Sequence, residues 1–297
     1  MNEKQITPAN PIQTSYETIE VRPLSQAVGA EIHGVDLAKG VPAKQLSEIR
    51  QVFRDQGVIF FRDQKLTQEQ HIAFAEQWGK INVNRFFKPT DTHPIIAEVR
   101  KEPYQKTNIG GSWHTDHSYD QIPAMGSILV AREVPDYGGD TLFASMYAAY
   151  ESLSDGLQQT LDGLRAIHSS RHSFGTYAYA TQEEADDVGT RLGNPQQATQ
   201  DATPPVVIRH PLSGRKALYV NPDFTVRFDG WTVEESKPLL GYLYEHAARP
   251  EHTCRFQWRK NSVAMWDNRA TWHCAVNDYQ GQARLMHRIT VEGVALE

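Results

Sequence analysis

The sequence predicts a mainly β protein with helical decoration, and three observations carry that expectation. Runs of strand length, either apolar or alternating, recur along the chain; helical periodicity is confined to a few segments; and no regular alternation of strand and helix signals a doubly wound parallel sheet. With 297 residues, 39% of them hydrophobic and 10% aromatic, the chain can bury a sizeable core and does not have the composition of a disordered polypeptide. No composition shift divides it, so 16–297 read as one domain behind a loose polar tail at 1–15.

Taken in order, 18–22 alternates as a strand, and 28–36 reads as a second short strand punctuated by glycine. Leu46, Ile49, Val52 and Phe53 fall at helical spacing, which predicts an amphipathic helix over 43–55. The run 58–62 is a buried strand. Thr67-Gln-Glu-Gln70 has the form of a capping box and should head a helix carrying Ile72, Phe74 and Trp78. Short strands are expected at 127–132 and 140–144, then a helix at 153–164. Residues 169–205, rich in Ser, Thr, Gln, Asp and Gly and closed by Pro204-Pro205, read as a weakly structured, lid-like insert. Strands should follow at 206–210, 216–221 and 224–228. A second capping box, Thr232-Val-Glu-Glu235, heads a helix to about Ala248. The last strands are expected at 254–258, 262–266, 270–275 and 284–292.

Lys plus Arg is 30 against 36 Asp plus Glu, a net charge of −6, which disfavours binding to a phosphate backbone, so no nucleic-acid partner is expected. No apolar run approaches the roughly 18 residues that span a bilayer, and the N-terminus has no apolar h-region. Two cysteines, Cys254 and Cys274, match a reducing compartment. The expected location is therefore cytoplasmic, with no membrane partner.

Of the twelve histidines only one opens a His-x-Asp pattern, His114-Thr-Asp116. On an extended strand, residues i and i+2 share a face, so this imidazole and carboxylate can aim at one point. With a distant histidine they would make the two-histidine, one-carboxylate triad that holds iron(II) on one face and leaves three positions open. Alone the motif arises easily by chance, and a surface turn is the bland reading. The best third ligand is His273, in Trp266-Asp-Asn-Arg-Ala-Thr-Trp-His273. Cys274 then turns to the opposite face as a packed core thiol. His117, offset by one from Asp116, should point away while shaping the pocket rim. His33, His71, His93, His168, His172, His210, His246, His252 and His287 have no partner at ligand spacing and read as solvated or hydrogen-bonded. Arg284 and Arg288 share a strand face by their even spacing, and a guanidinium facing an open metal site suits a carboxylate; a structural pair of arginines is the alternative. Gly138-Gly-Asp-Thr141 supplies a tight turn and a hydroxyl.

In this order, Trp113-His-Thr-Asp116, Gly-Gly-Asp-Thr141, Trp266-Asp-Asn-Arg269 with His273, then Arg284 and Arg288, the chain resembles the iron(II)/2-oxoglutarate-dependent dioxygenases of the taurine dioxygenase group, which includes aryloxyalkanoate dioxygenases and alkylsulfatases. The resemblance covers about 21–294, and 214–221 and 235–247 are most similar to the aryloxyalkanoate members. It implies a double-stranded β-helix, or jelly roll, with His114, Asp116 and His273 as the catalytic iron ligands. Thr141 and Arg284 would bind the cosubstrate 2-oxoglutarate, and O2 is the oxidant. Arg288 would hold an acidic group of a small organic substrate, with Arg85 as a helper, or else support the cosubstrate carboxylate; Asn84, Phe87 and His117 would complete the substrate site, and Phe86, Phe87 and Tyr119 are either its aromatic wall or core residues. Asn84 stands where the taurine enzyme has a histidine, and Gly110 where it has an asparagine, which argues against taurine itself. The implied activity is oxidation of an aliphatic C–H with release of succinate and CO2, by hydroxylation with or without C–O or C–S cleavage. Desaturation or cyclisation with the same cofactors, and a non-catalytic jelly-roll protein binding a small acid, are the alternatives. The insert would close over substrate, with Tyr177 and Tyr179 facing it, and the family suggests a homo-oligomer, dimer or tetramer.

Overall fold

Every residue of the run Val58–Phe61 is buried, as in a strand covered on both faces. Alternation along it sends Ile59 and Phe61 into one apolar core and Val58 and Phe60 into another. The computed structural model describes residues 16–176, 178 and 182–297, and is organised about these cores. The tail at 1–15, together with Tyr177 and Tyr179, lies outside the described residues.

In chain order the strands are β1 (Glu20–Pro23), β2 (Ala30–His33), β3 (Val58–Phe61), β4 (Ile81–Asn82), β5 (Ala97–Lys101), β6 (Gly126–Glu133), β7 (Thr141–Ser145), β8 (Ala166–Ser169), β9 (Asp201–Ala202), β10 (Val207–Arg209), β11 (Lys216–Leu218), β12 (Thr225–Phe228), β13 (Thr253–Phe256), β14 (Val263–Asp267), β15 (Thr271–Ala275) and β16 (Arg284–Val291). The helices are α1 (Ala43–Gln56), α2 (Gln68–Glu76), α3 (Met146–Glu151), α4 (Asp155–Leu161), α5 (Arg171–Phe174), α6 (Gln182–Gly189) and α7 (Val233–Ala247).

The main sheet has the order β1-β2-β3-β14-β6-β16-β4, with β5 also paired to β16. Its pairings are antiparallel except that of β2 with β3. On one face lie α1 and α2, where Ile49, Val52, Phe53 and Phe74 pack on Ile59, Phe61, Ile128 and Met265. On the other face packs a smaller antiparallel sheet, β13-β7-β15. There Phe60 stacks on Phe256 with ring centroids 4.0 Å apart and meets Phe143 edge-on at 5.5 Å. A further core gathers α3 and α7 around β10, β11, β12 and Trp272.

Both capping boxes form as the sequence predicts, at Thr67 with Gln70 and at Thr232 with Glu235. Trp78 falls beyond the end of α2, yet it still packs edge-on to Phe53 at 5.0 Å. The helix expected at 153–164 forms as α4, shorter at both ends, and an additional short helix, α3, precedes it. Ser152 Oγ donates back to Ala148 O at 2.7 Å at the end of α3, and Ser154 caps the start of α4. Serine competes for backbone partners in this way and breaks the run between them. The segment 169–205 is more ordered than its composition predicts. It carries α5, α6 and β9, pairs β9 with β8 and bridges Leu192 to Phe87. Its few apolar residues explain this: Phe174, Val188, Leu192 and Ala198 pack with Phe86, Tyr119 and Phe224. Both cysteines are free. Among the described residues, no helix is long and apolar enough to cross a membrane.

Gly57 couples the helical layer to the second sheet. It ends α1 at a φ of 71°, and its carbonyl accepts the Asp267 N–H at 2.8 Å. A Cβ there would sit 2.6 Å from Thr271 Cγ2 on β15. Gly57→Ala is expected to lower the unfolding free energy by about 2 kcal/mol, through left-handed strain and the collision with Thr271. Urea denaturation measures it, and a variant as stable as the parent would contradict this contact.

Candidate active site

His114 does not lie in the regular strand that its motif predicts. It forms an isolated antiparallel bridge with His273, and the chain then turns at Asp116. The bridge consists of two backbone bonds, His114 N–H to His273 O at 3.1 Å and His273 N–H to His114 O at 2.8 Å. It sets the imidazole centroids 4.1 Å apart. The turn brings Asp116 to the same point, with Oδ1 at 3.9 Å from His114 Nε2 and Oδ2 at 3.7 Å from His273 Nε2. One ligand atom from each of these three buried residues lies within 4.8 Å of the other two.

The donor set suits a divalent iron with open positions. His114 Nδ1 donates to Ser112 O at 2.9 Å, which leaves the Nε2 lone pair facing Asp116. Burial alone would raise the Asp116 carboxyl, but Arg288, with Nη2 2.7 Å from Oδ2, and then His273 and His114 hold it well below the usual carboxylate range. Burial, reinforced by His114, pushes the His273 imidazole well below its ordinary value. An ionised carboxylate and a neutral imidazole are the forms a metal takes.

Arg284 and Arg288 leave β16 on the same side and line one cavity of about 210 Å³ with the triad and Thr141. Arg284 is buried, and its Nε has no hydrogen-bond partner among the described residues. A buried guanidinium in that condition calls for an incoming anion. The remaining lining is largely apolar, with Phe87, Tyr119, Phe174, Leu192 and Phe224 among it.

Several expected positions differ. His117 lines the cavity, as a rim residue should, but does not point away, because its φ of 61° breaks the strand alternation. Its Nδ1 donates to Asp120 Oδ2 at 2.9 Å. Arg85 is not an anion-binding residue of the cavity; its Nη2 is committed to both oxygens of Asp120, at 2.6 and 2.8 Å. Phe86 lies behind the wall, stacked on Phe174 at 4.4 Å, while Phe87 and Tyr119 form the wall itself. Asn84 lines the cavity with its Oδ1 taken by the N–H groups of Phe86 and Phe87, both at 2.9 Å. Cys274 is no core thiol: it is half-buried, and its Sγ donates to Gly111 O at 3.2 Å.

Residues 20–290 match the family described as taurine catabolism dioxygenase TauD, TfdA family. The chain belongs to that family. An alkylsulfatase of Acinetobacter baylyi is 34% identical over 285 residues, covering 95% of this chain and 87% of the relative. An alpha-ketoglutarate-dependent sulfate ester dioxygenase of Pseudomonas putida is 33% identical over 279 residues, covering 93% of this chain and 90% of the relative. The crystal structure of AAD-2 in complex with Mn(II) and N-oxalylglycine has a TM-score of 0.75 at 31% identity, over 94% of this chain and 98% of that one. The TauD, TfdA family uses iron(II), 2-oxoglutarate and O2.

Other parts of this TauD-family site carry no motif that sequence reasoning could use. Ser127 Oγ donates to Asp116 Oδ2 at 3.3 Å. Asp223 lines the cavity and bonds the Ser112 hydroxyl. Trp258 Nε1–H donates to Thr141 Oγ1 at 2.9 Å. With one lone pair so filled, the Thr141 hydroxyl proton is free to serve an anion in the cavity. Trp258→Phe keeps the ring and loses the donor. It is expected to weaken N-oxalylglycine binding to the manganese(II)-loaded protein about fivefold, the worth of one neutral hydrogen bond of about 1 kcal/mol. Calorimetry should show manganese(II) affinity unchanged; an unchanged N-oxalylglycine affinity would contradict the role of this bond.

Proposed function

We propose that this TauD-family protein is an iron(II)- and 2-oxoglutarate-dependent dioxygenase that oxidises an aliphatic C–H of a small organic anion with an apolar body. One observation carries the reading: two buried arginines, Arg284 and Arg288, open on the cavity of the His114, Asp116, His273 cluster, and only Arg288 has the cluster's carboxylate beside it. In this reading the cluster holds iron(II), Arg284 with Thr141 binds the far carboxylate of 2-oxoglutarate, and Arg288 takes the acidic group of the substrate. The bound iron and cosubstrate supply O2 activation, coupled to conversion of 2-oxoglutarate to succinate and CO2.

The chain's own residues supply placement. Arg284 gives a planar, two-donor clamp for a carboxylate. Arg288, with its Cζ 5.6 Å from the Phe87 ring centroid and its Nε without a partner among the described residues, is held over the substrate wall with a donor to spare. Phe87, Tyr119, Phe174, Leu192 and Phe224 exclude water around the C–H to be oxidised. Such a wall favours an alkyl or aryl body over a second charge, so a sulfate ester, as in the name of one relative, is the first class to try. His117 and Asn84 complete this wall as substrate-side polar groups.

We read the two packed sheets as the double-stranded β-helix, or jelly roll, in one domain over 16–297, and the insert at 169–205 as a lid. Protease cleavage within the insert is expected to slow when manganese(II), N-oxalylglycine and a binding sulfate ester are added together; unchanged cleavage would contradict the lid. A cytoplasmic homo-oligomer, dimer or tetramer, completes the reading.

Anaerobic titration of the metal-free protein with iron(II) and 2-oxoglutarate tests the assignment. A weak visible absorption band that needs both additions is expected, and His114→Ala or Asp116→Ala should abolish it. No band from the folded parent, or a retained band in either variant, would contradict the assignment.

A further inference from the structure

The turn that joins β14 to β15 is held by groups outside the cavity. Asp267, at its start, is a carboxylate with 1% exposure. All its acceptor positions are used. Oδ1 accepts the Arg269 N–H at 2.9 Å and the Arg269 Nε–H at 2.8 Å, while Oδ2 accepts Arg269 Nη2–H at 2.7 Å and His210 Nε2–H at 3.0 Å. The His210 tautomer follows from its other nitrogen. Nδ1 accepts the N–H of Leu212 at 3.3 Å and of Ser213 at 3.2 Å, so the ring proton sits on Nε2. Burial would raise the Asp267 carboxyl, but Arg269 and His210 hold it well below the usual range. The result is a buried anion fully satisfied by one guanidinium and one neutral imidazole, the condition under which such a group is stable.

This turn touches both ligand-bearing segments. Thr271 Oγ1 and the Ala270 N–H both donate to Asp267 O, at 2.7 and 3.1 Å, and β15 then presents His273. Thr115, between His114 and Asp116, donates its hydroxyl to Asn268 O at 2.5 Å. Asp267, Arg269 and His210 do not line the cavity themselves.

We propose that Asp267, Arg269 and His210 form a positioning network that sets His273 against the His114-Thr-Asp116 segment, with Thr115 as the tie, and so sets the metal affinity of the site. The inference rests on the reading of His114, Asp116 and His273 as metal ligands. Metal sites accept ligand displacements of only about 0.2 Å, so a turn relaxed by loss of one of its four carboxylate bonds is enough to matter.

The test is cobalt(II) binding to the metal-free full chain, followed by calorimetry and by the visible spectrum of the bound ion. His210→Ala is expected to raise the Kd about tenfold or more, in the range for loss of outer partners of metal ligands, and to shift the cobalt spectrum. His210→Gln, whose amide can still donate to Asp267, should recover most of the affinity. His252→Ala is the control: it removes an equally buried imidazole, bonded to His246 O and Ser152, away from the cavity. Its cobalt(II) affinity should match the parent. Parent-like affinity in folded His210→Ala, or an equal loss in His252→Ala, would overturn the proposal. Should His210→Ala fail to fold, Thr115→Val carries the same test, a weakened affinity supporting the tie and a parent-like one overturning it. A parent that binds no cobalt(II) would instead contradict the metal-site reading, and this inference with it.

Discussion

The site depends on one pair of backbone hydrogen bonds, those between His114 and His273. A metal ligand on a loop is free to swing unless its backbone is tied. Here the tie is direct, residue to residue, so two imidazoles distant in sequence share one fixed spacing before any ion arrives. Asp116 then needs only a turn, and the turn residue that follows, His117, bears the left-handed conformation that makes it. The sheets are arranged so that this bridge can exist: β15 carries His273 from the smaller sheet, while β6 and β16 of the main sheet bring Ser127 and Arg288 to Asp116.

Charge gives the cavity its chemistry. Asp116 is the anion at its centre, Arg288 balances it, and Arg284 stands buried without a bonded acceptor for Nε among the described residues. That arrangement is stable only with further anions present or at a cost in folding free energy, a common condition of functional sites. Around it the aromatic wall removes water and strengthens every remaining electrostatic contact. Polar groups one layer out are committed elsewhere: Arg85 to Asp120, Trp258 to Thr141 and Arg269 to Asp267. Each commitment orients a neighbour of the site, and the two arginine–aspartate pairs also keep a stray charge away from it.

Much of this was legible in the sequence. The capping boxes, the buried run at 58–61 and the even spacing of Arg284 and Arg288 are local patterns, and local patterns survive folding. The His-x-Asp pair was legible as chemistry but not as conformation, since the expected strand is a bridge and a turn. His117 reaches the pocket rim as expected, but its expected direction failed for that reason: period-two logic fails where φ turns positive. The failures elsewhere share a cause. Arg85 with Asp120, Trp258 with Thr141 and His210 with Asp267 are long-range pairs that no spacing rule encodes. The expected helix at 153–164 starts only at Asp155, because Ser152 closes α3 and Ser154 caps α4, both competing for backbone partners.

Crystals of the protein grown with manganese(II) and N-oxalylglycine, measured at a wavelength where manganese scatters anomalously, would test the account most directly. The prediction is one strong anomalous peak within bonding distance of His114 Nε2, Asp116 and His273 Nε2, with the far carboxylate of N-oxalylglycine on Arg284 and Thr141. A peak elsewhere, or an N-oxalylglycine carboxylate that leaves Arg284 without a partner, would contradict it.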